Sequence, residues 1–539
     1  MKRLKKTGWL WASLACILLA GTYLRLVGLA DTDYNPVEIA TVYQAHENYL
    51  GEDSSFLSPD DLQDIVFSRI IQYSYTVFGE NELATRSINV VVGGMLIVMM
   101  FFIGWRFFHK GNAGIIAAFI TAFHPLLIDF SRIATVHNSR FFALTFLVYA
   151  FYEGIEGTRE KHLGLLADNA KLKKLFVFWN LDWFWLAIAI FTLWTVRLVV
   201  PHIEMLLFGL AAYCIVLFIM QFIHTVPRAG LKWKYGILLV LILGALVALR
   251  MNVVETVNAD ALQNIFAAEA AIDAIFLNPS NWTLTAFALI GSIFSIVNLH
   301  KAGFYTLTIF IASLIIARLQ GSIADYFFVF PLYLVLATYG VFEFAYYIRR
   351  QLDVQLINVD FEKRLHITPQ RLIMGFFLAA VILVSPWFRE TLDGRPKKDM
   401  LAGHVKLVEW KQIGAFLKQN QNDDQPVISM NPLLSRYYGF KGTYFQIDVD
   451  SFAISTENAQ PDFQEELIIH SLKDFSRVVK EYESGWLVLE HSLKSENLIL
   501  RLSQGKALNF KLEKRFTPPE NTAMVYYWNV SENQNGYEN

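Results

Sequence analysis

Two short polar segments interrupt a long apolar sequence, and both carry side chains suited to proton transfer or anion binding. The first is Asp33-Tyr34-Asn35-Pro36-Val37-Glu38, which follows an apolar run ending near Leu29. A carboxylate at a membrane surface can act as general base or ligate a cation. The same Glu38, after Asp33 and Pro36, can instead cap the start of a helix. The second segment runs from His124 to Arg140 and gathers Asp129, Arg132, His137, Asn138 and Arg140. A plain turn between helices does not need these groups. Arginines bind anions through forked hydrogen bonds, and a histidine can move protons or ligate metal. A lone histidine is also a common structural residue, so both roles stay open for His137.

Other ionisable groups recur where apolar runs end. They are Arg197, His202 and Glu204; then Arg250, Asn252 and Glu255; then Arg318, Asp325 and Tyr326. Singly each is ordinary. Together they outline a polar cavity along one membrane face. Arg25 lies inside the first apolar run, where it needs a partner such as Asp31 or Asp33 or must snorkel to the interface.

The elements that must position these residues are membrane helices. Of 539 residues, 54% are hydrophobic and 17% charged, against about 25% charged in soluble domains. The 44 Phe, 23 Tyr and 13 Trp require lipid to face. Cys16 and Cys214, the two cysteines, exclude a disulfide framework and Cys-based zinc sites. A net charge of −2 gives no signal for nucleic acid. Eleven stretches read as spans of about 20 residues. They lie near 9–29, 87–108, 113–130, 139–153, 181–199, 203–223, 235–250, 282–299, 303–318, 326–346 and 372–387.

Lys and Arg mark alternate loops as cytoplasmic, including Arg159, Lys171, Arg228, Lys232, Lys301, Arg349 and Arg364. That puts the N-terminus inside and the C-terminus outside. The first outer loop, about 31–86, is acidic and reads as two surface helices, Pro36–Tyr49 and Leu62–Phe78. The division is therefore a transmembrane domain over 1–386, which includes that loop, and an extracytoplasmic α/β domain over 387–539. In the tail, Val408–Gln419 and Phe463–Tyr482 read as helices. Pro426–Met430, Tyr444–Val449 and Trp486–Glu490 read as strands, and Asn509–Phe516 with Ala523–Val530 as a hairpin. The tail reads as separable, modulating acceptor access without carrying a catalytic group.

With these features in place the chain resembles the GT-C membrane glycosyltransferases. It looks most like the branch of protein O-mannosyltransferases (dolichyl-phosphate-mannose-protein mannosyltransferases) and lipid A aminoarabinose transferases. The resemblance rests on Leu24-Arg25-Leu26-Val27-Gly28-Leu29 followed by an acidic loop residue, and on Pro125 followed by Ser131-Arg132-Ile133-Ala134. It rests also on Tyr326 with Pro331, and on the order of spans and outer domain. It implies transfer of a sugar from a polyprenyl-phosphate carrier to a protein, lipid or glycan at the outer face of the plasma (inner) membrane.

Relatives carry an Asp-Glu pair where this chain has Val37-Glu38, so Glu38 would be the catalytic carboxylate, with Asp33 as substitute for the aspartate. His137 stands at a position that is often acidic or tyrosine. Glu38 and His137 would be the ligands of a divalent cation. Arg318, Arg197, Arg250, Arg132 and Tyr326 would hold the donor phosphate. Membrane lipids are the surrounding partner. The alternative is a non-catalytic GT-C-like subunit that scaffolds a membrane complex.

Overall fold

The computed structural model describes residues 2–36, 38–51, 62–157, 181–197, 205–223, 234–248, 276, 278–298, 300–320, 329–352 and 383–392 of the membrane region and first loop. In the tail it describes 408–422, 424–439, 443–447, 468–469, 471–504, 511–518 and 523–530. These form two compact units: 1–27, 62–66 and 86–396; and 28–61, 67–85 and 397–539.

The first unit is helical. Its elements are α1 (Lys2–Leu26), α4 (Glu82–Phe107, from Arg86), α5 (Gly111–Phe123), α6 (Pro125–Arg132), α7 (His137–Glu156), α8 (Trp183–Arg197), α9 (Met205–Ile223), α10 (Lys234–Ala248), α11 (Trp282–Val297), α12 (Lys301–Gln320), α13 (Phe330–Leu352) and α14 (Pro386–Leu392). Helices occupy ten of the eleven stretches read as spans, with 113–130 divided into α5 and α6 and not one helix; most of 372–387 lies outside the described residues. Among the described residues, Gly8–Leu26, Glu82–Phe107 and Phe330–Ile348 are long and apolar enough to cross a membrane alone. Five shorter apolar helices accompany them, and α5 with α6 is a pair bent by 57°.

The bend has a local cause. Pro125 lacks an N–H and sits at the first position of α6, and His124 before it is extended (φ −74°, ψ 123°). A break leaves the last carbonyls of α5 without helical partners. Arg25 of α1 supplies them. Its Nη1 donates to Ala122 O at 2.8 Å and to its own helix at Gly21 O at 2.8 Å, and its Nη2 donates to Thr121 O at 3.1 Å. Thr391 of α14 donates to Phe123 O at 2.5 Å. Arg25 is fully buried. The acidic partner expected from the sequence is replaced by backbone carbonyls at a helix C-terminus, where a cation is favoured.

The network continues from Arg25. Its Nε donates to Ser131 Oγ at 3.1 Å, and that hydroxyl donates to Leu127 O at 2.6 Å. Asn138 Nδ2 donates to Ser131 Oγ at 3.2 Å and to Asn89 O at 2.7 Å. Asn89 Nδ2 donates in turn to Ile133 O and Thr135 O, at 2.5 and 2.6 Å. Four elements, α1, α4, α6 and α7, are thereby tied around the 133–136 segment. Gly93 of α4 makes the room: a Cβ there would lie 2.5 Å from Ser131 Oγ and 2.9 Å from Arg25 Nε.

The second unit holds α2 (Ile39–Leu50), most of α3 (Leu62–Phe78), the first turn of α4, and the tail. The tail elements are α15 (Trp410–Asn420), β1 (Val427–Ser429), α16 (Pro432–Tyr438), β2 (Tyr444–Ile447), β3 (Ile468–Ile469), α17 (Leu472–Tyr482), β4 (Ser484–Glu490), α18 (Leu493–Gln504), β5 (Lys511–Phe516) and β6 (Ala523–Asn529). The strand order is β3-β2-β1-β4-β6-β5. The first four strands are parallel, with Val427 opposite both Tyr444 and Trp486. The last two run antiparallel, with Trp486 opposite Tyr527 and Lys511 opposite Asn529.

The central β4 buries every residue from Gly485 to Leu489, as a parallel strand covered on both faces should. Ile428, Leu487, Leu489, Phe475 and Trp528 form the sheet's core. The helix expected over Phe463–Tyr482 begins only at Leu472, where Ser471 caps it by accepting from Asp474 N–H at 3.2 Å. Ile468–Ile469 is a strand instead, and 463–467 lie outside the described residues. The first loop is not an appendage of the helical unit: its greater part packs into one body with the tail.

Gly93→Ala is expected to disturb the Arg25 network by forcing Ser131 aside. Overpacking of this kind costs roughly 1–3 kcal/mol. The unfolding midpoint of the detergent-solubilised protein should fall. Gly244→Ala, where no atom lies within 4 Å of the added Cβ, should leave it unchanged or slightly raised.

Candidate functional site

In the first unit the polar segment between α5 and α7 is held from below by the Arg25 network. Arg132 ends α6 and donates from Nη1 to Leu24 O at 3.3 Å. His137 opens α7 with its ring 5.3 Å from that of Phe130. Both residues therefore sit on one braced turn. His124, at the break, is buried, with Nε2 3.1 Å from Asn281 Oδ1 and its ring stacked on Trp387 at 5.9 Å. Its place in the interior is one of packing, which the sequence did not separate from the turn residues. Beside Trp387 lies a cavity of about 190 Å³ lined by Ile116, Phe119, Leu284, Phe287 and Val341 among others. An apolar void of roughly 150 Å³ is enough to bind benzene, so this one is large enough for a short segment of hydrocarbon.

In the second unit Glu38 is fully buried. Its Oε1 accepts the N–H of Asn35 at 3.1 Å, while Asn35 Oδ1 accepts the N–H of Glu38 at 3.0 Å. Asn35 O also accepts the N–H of Ile39 at 3.2 Å. The two residues hold each other reciprocally, in the manner of a capping box, in the turn that leads into α2 at Ile39. Glu38 stands at the N-cap position of α2 with no side-chain hydrogen bond to the helix itself; its carboxylate reaches back to Asn35. The spacing Asn-Pro-Val-Glu is the signal that identifies this pairing.

Asp33 is held by the tail. Its Oδ2 accepts the main-chain N–H of Lys411 at 2.9 Å, and its Oδ1 lies 3.5 Å from Lys411 Nζ. Lys411 Nζ also reaches Glu82 at 2.8 Å. Burial disfavours the lysine's charge, but Glu82 and Asp33 outweigh it and hold its pKa above the usual value. Nearby, His46 Nδ1 lies 2.7 Å from Glu80 Oε1, and Tyr437 OH donates to the same oxygen at 3.2 Å. The hydrogen bond from His46 holds the Glu80 carboxyl below the ordinary carboxylate range. His46, Glu80, Lys411 and the paired tyrosines were not singled out in the sequence. Their partners are far apart along the chain, and no local pattern announces them.

The donor-site arginines are placed only in part. The backbones of α8 and α12 reach Arg197 and Arg318, whose side chains lie outside the described residues. Arg250 and Tyr326 lie outside them altogether. Among the described residues no group of three or more His, Cys, Asp or Glu side chains forms a metal cage. Glu38 and His137, the pair expected to hold a cation, belong to different compact units.

A family model described as dolichyl-phosphate-mannose-protein mannosyltransferase matches residues 63–170, about a fifth of the chain. That stretch contains α3 to α7 and hence most of the Arg25 network, and it excludes Glu38. No curated protein sequence matches the chain. The crystal structure of ArnT from Cupriavidus metallidurans bound to undecaprenyl phosphate aligns with a TM-score of 0.58 at 11% identity, over 97% of this chain and 98% of that one. Its apo state aligns at 0.53 and 12% identity over the same shares. The Archaeoglobus fulgidus oligosaccharyltransferase in complex with zinc and sulfate aligns at 0.50 and 13% identity, over 95% of this chain and 72% of that one. At these identities the likeness is one of fold. The chain is a helical membrane protein that resembles the GT-C glycosyltransferases, as its motifs suggested.

The Glu80 contact makes an acid-side test. A carboxyl whose folded pKa is depressed adds stability that is present above its unfolded value and lost as pH falls through the folded one. Glu80→Gln should therefore lower the unfolding midpoint at pH 6. The half-exposed site limits the cost to the order of 1 kcal/mol. Below about pH 4, the ordinary carboxylate range, the gap between variant and wild type should close. A gap that stays constant down to pH 3 would contradict the ionic contact.

Proposed function

We propose that the chain transfers a sugar from a polyprenyl-phosphate carrier to a protein, lipid or glycan acceptor at the outer face of the plasma membrane. One observation carries the reading. Over nearly the whole of both chains the fold follows that of a protein solved with undecaprenyl phosphate. The apolar cavity beside Trp387 supports it, since it suits part of a hydrocarbon tail. So does the turn that presents Arg132 and His137.

In this reading the acceptor oxygen attacks the anomeric carbon of the sugar. Glu38, with Asp33 as the alternative carboxylate, takes the acceptor's proton as the new bond forms. The bond between anomeric carbon and phosphate oxygen breaks, and polyprenyl phosphate leaves as an anion. Arg132, with Arg197, Arg250, Arg318 and Tyr326, stabilises the charge that grows on that phosphate. The role proposed for His137 is that of a second proton carrier. Two donors do not make a cation cage, so the base reading is preferred to a metal-centred one.

A specific observation favours the scaffold alternative: the Glu38 carboxylate is engaged in a helix cap. The capping box separates the two readings, because it accepts Gln in place of Glu. Glu38→Gln should keep the fold and the unfolding midpoint while removing the base. Loss of a general base typically costs about 10²–10⁴-fold in rate. The measurement is sugar transfer from polyprenyl-phosphate sugars in reconstituted membranes by wild type, Glu38→Gln and His137→Ala. Full activity in Glu38→Gln would sink the catalytic role. No transfer by wild type with any such donor would favour the scaffold.

A further inference from the structure

The outer loop and the tail meet at a contact that the proposed chemistry does not use but must rely on. Tyr34 is buried, and its main-chain N–H donates to Tyr438 OH at 2.9 Å. The next N–H along the chain, that of Asn35, donates to Glu38 Oε1. Two consecutive peptide groups are thus held by two different masters: one by the tail, one by the candidate base. Tyr438 OH donates onward to Glu82 Oε1 at 3.3 Å, and Lys411 Nζ reaches that same oxygen. Lys411 also grips Asp33 through main chain and side chain. The Tyr34 ring stacks on Tyr438 at 6.1 Å and meets the edge of Tyr437 at 5.3 Å, while its hydroxyl lies 2.7 Å from Thr85 Oγ1. Segment 33–35 is therefore fixed at both ends and through its central side chain.

We infer that Lys411 and Tyr438 of the tail are positioning residues for Glu38, so that the tail completes the transfer site. The inference rests on the reading of Glu38 as base. A base must be placed to within about 0.5 Å of its productive position. A shift of about 1 Å can cost roughly 100-fold. Removing the tail's grip lets Tyr34 and Asn35 move, and the capping box carries Glu38 with them. The donor arginines lie elsewhere in the chain and are not disturbed, so the defect belongs in kcat.

Tyr438→Phe keeps the ring stacking and deletes the hydroxyl. It should lower kcat about 10-fold with donor KM unchanged. Lys411→Met should act in the same direction, and Lys411→Arg, which keeps a cation for Glu82, should recover part of the loss. In a Glu38→Gln background, Tyr438→Phe should add nothing to the residual defect, because its effect runs through the missing base. Hydrogen exchange at the Tyr34 and Asn35 amides of the full-length protein should quicken in Tyr438→Phe, whatever its activity. If Glu38→Gln retains only a residual rate and Tyr438→Phe lowers that rate by its full factor, or if the amides exchange as in wild type, the positioning role is overturned alone. If Glu38→Gln is fully active, the base reading itself falls.

Discussion

A guanidinium buried inside a membrane helix cannot be left without acceptors, and that constraint organises the helical unit. On insertion scales a central arginine costs about 2.5–3.5 kcal/mol. Arg25 meets the cost with charged hydrogen bonds to Gly21, Thr121 and Ala122 carbonyls and to Ser131. Those carbonyls are available only because Pro125 ends α5 one turn early. The break in turn swings α6 across by 57° and creates the turn that carries Arg132 and His137. Bend, buried cation and polar turn are one interdependent feature. The absence of a side chain at Gly93 is its steric condition.

The second unit solves a different problem. A loop of two amphipathic helices has little core of its own, and it gains one by packing with the tail. Tyr34, Tyr437 and Tyr438 form the aromatic centre of that junction. Asp33, Glu80 and Glu82 on the loop side find Lys411, His46 and two tyrosine hydroxyls. The loop that reads as acidic in the sequence thus has several of its carboxylates engaged as structural partners. Glu38 stands among them with its carboxylate held by the N–H of Asn35.

Much of this was legible in the residues, for reasons that separate cleanly. Apolar runs located the helices because lipid demands them, but 113–130 was read as one span, and the break at Pro125 that divides it into α5 and α6 was passed over. The β5–β6 hairpin and the buried β4 followed from alternation and apolar runs. The two-residue β3 was missed, since two residues carry no period, and its pairing with β2 is set only by the assembled sheet. The partners of Arg25 were missed because they are carbonyls, which every residue has. The Asp33–Lys411 contact spans 378 positions, and nothing local to either residue encodes it. Asn35 was the avoidable omission: Asn-x-x-Glu with an intervening Pro is a capping pattern in its own right.

The fold resembles that of the GT-C glycosyltransferases, with an arginine-braced turn in one unit and a carboxylate held beside the tail in the other. Sugar transfer leaves a product, so the most direct test looks for that product in cells. Glycans, glycoproteins and glycolipids are compared by mass spectrometry between cells with the intact chain and cells lacking it. The expected result is a set of species each missing one sugar, with the matching polyprenyl-phosphate sugar accumulating, and recovery of both by the wild-type chain. Identical profiles with no accumulation of any polyprenyl-phosphate sugar would contradict it.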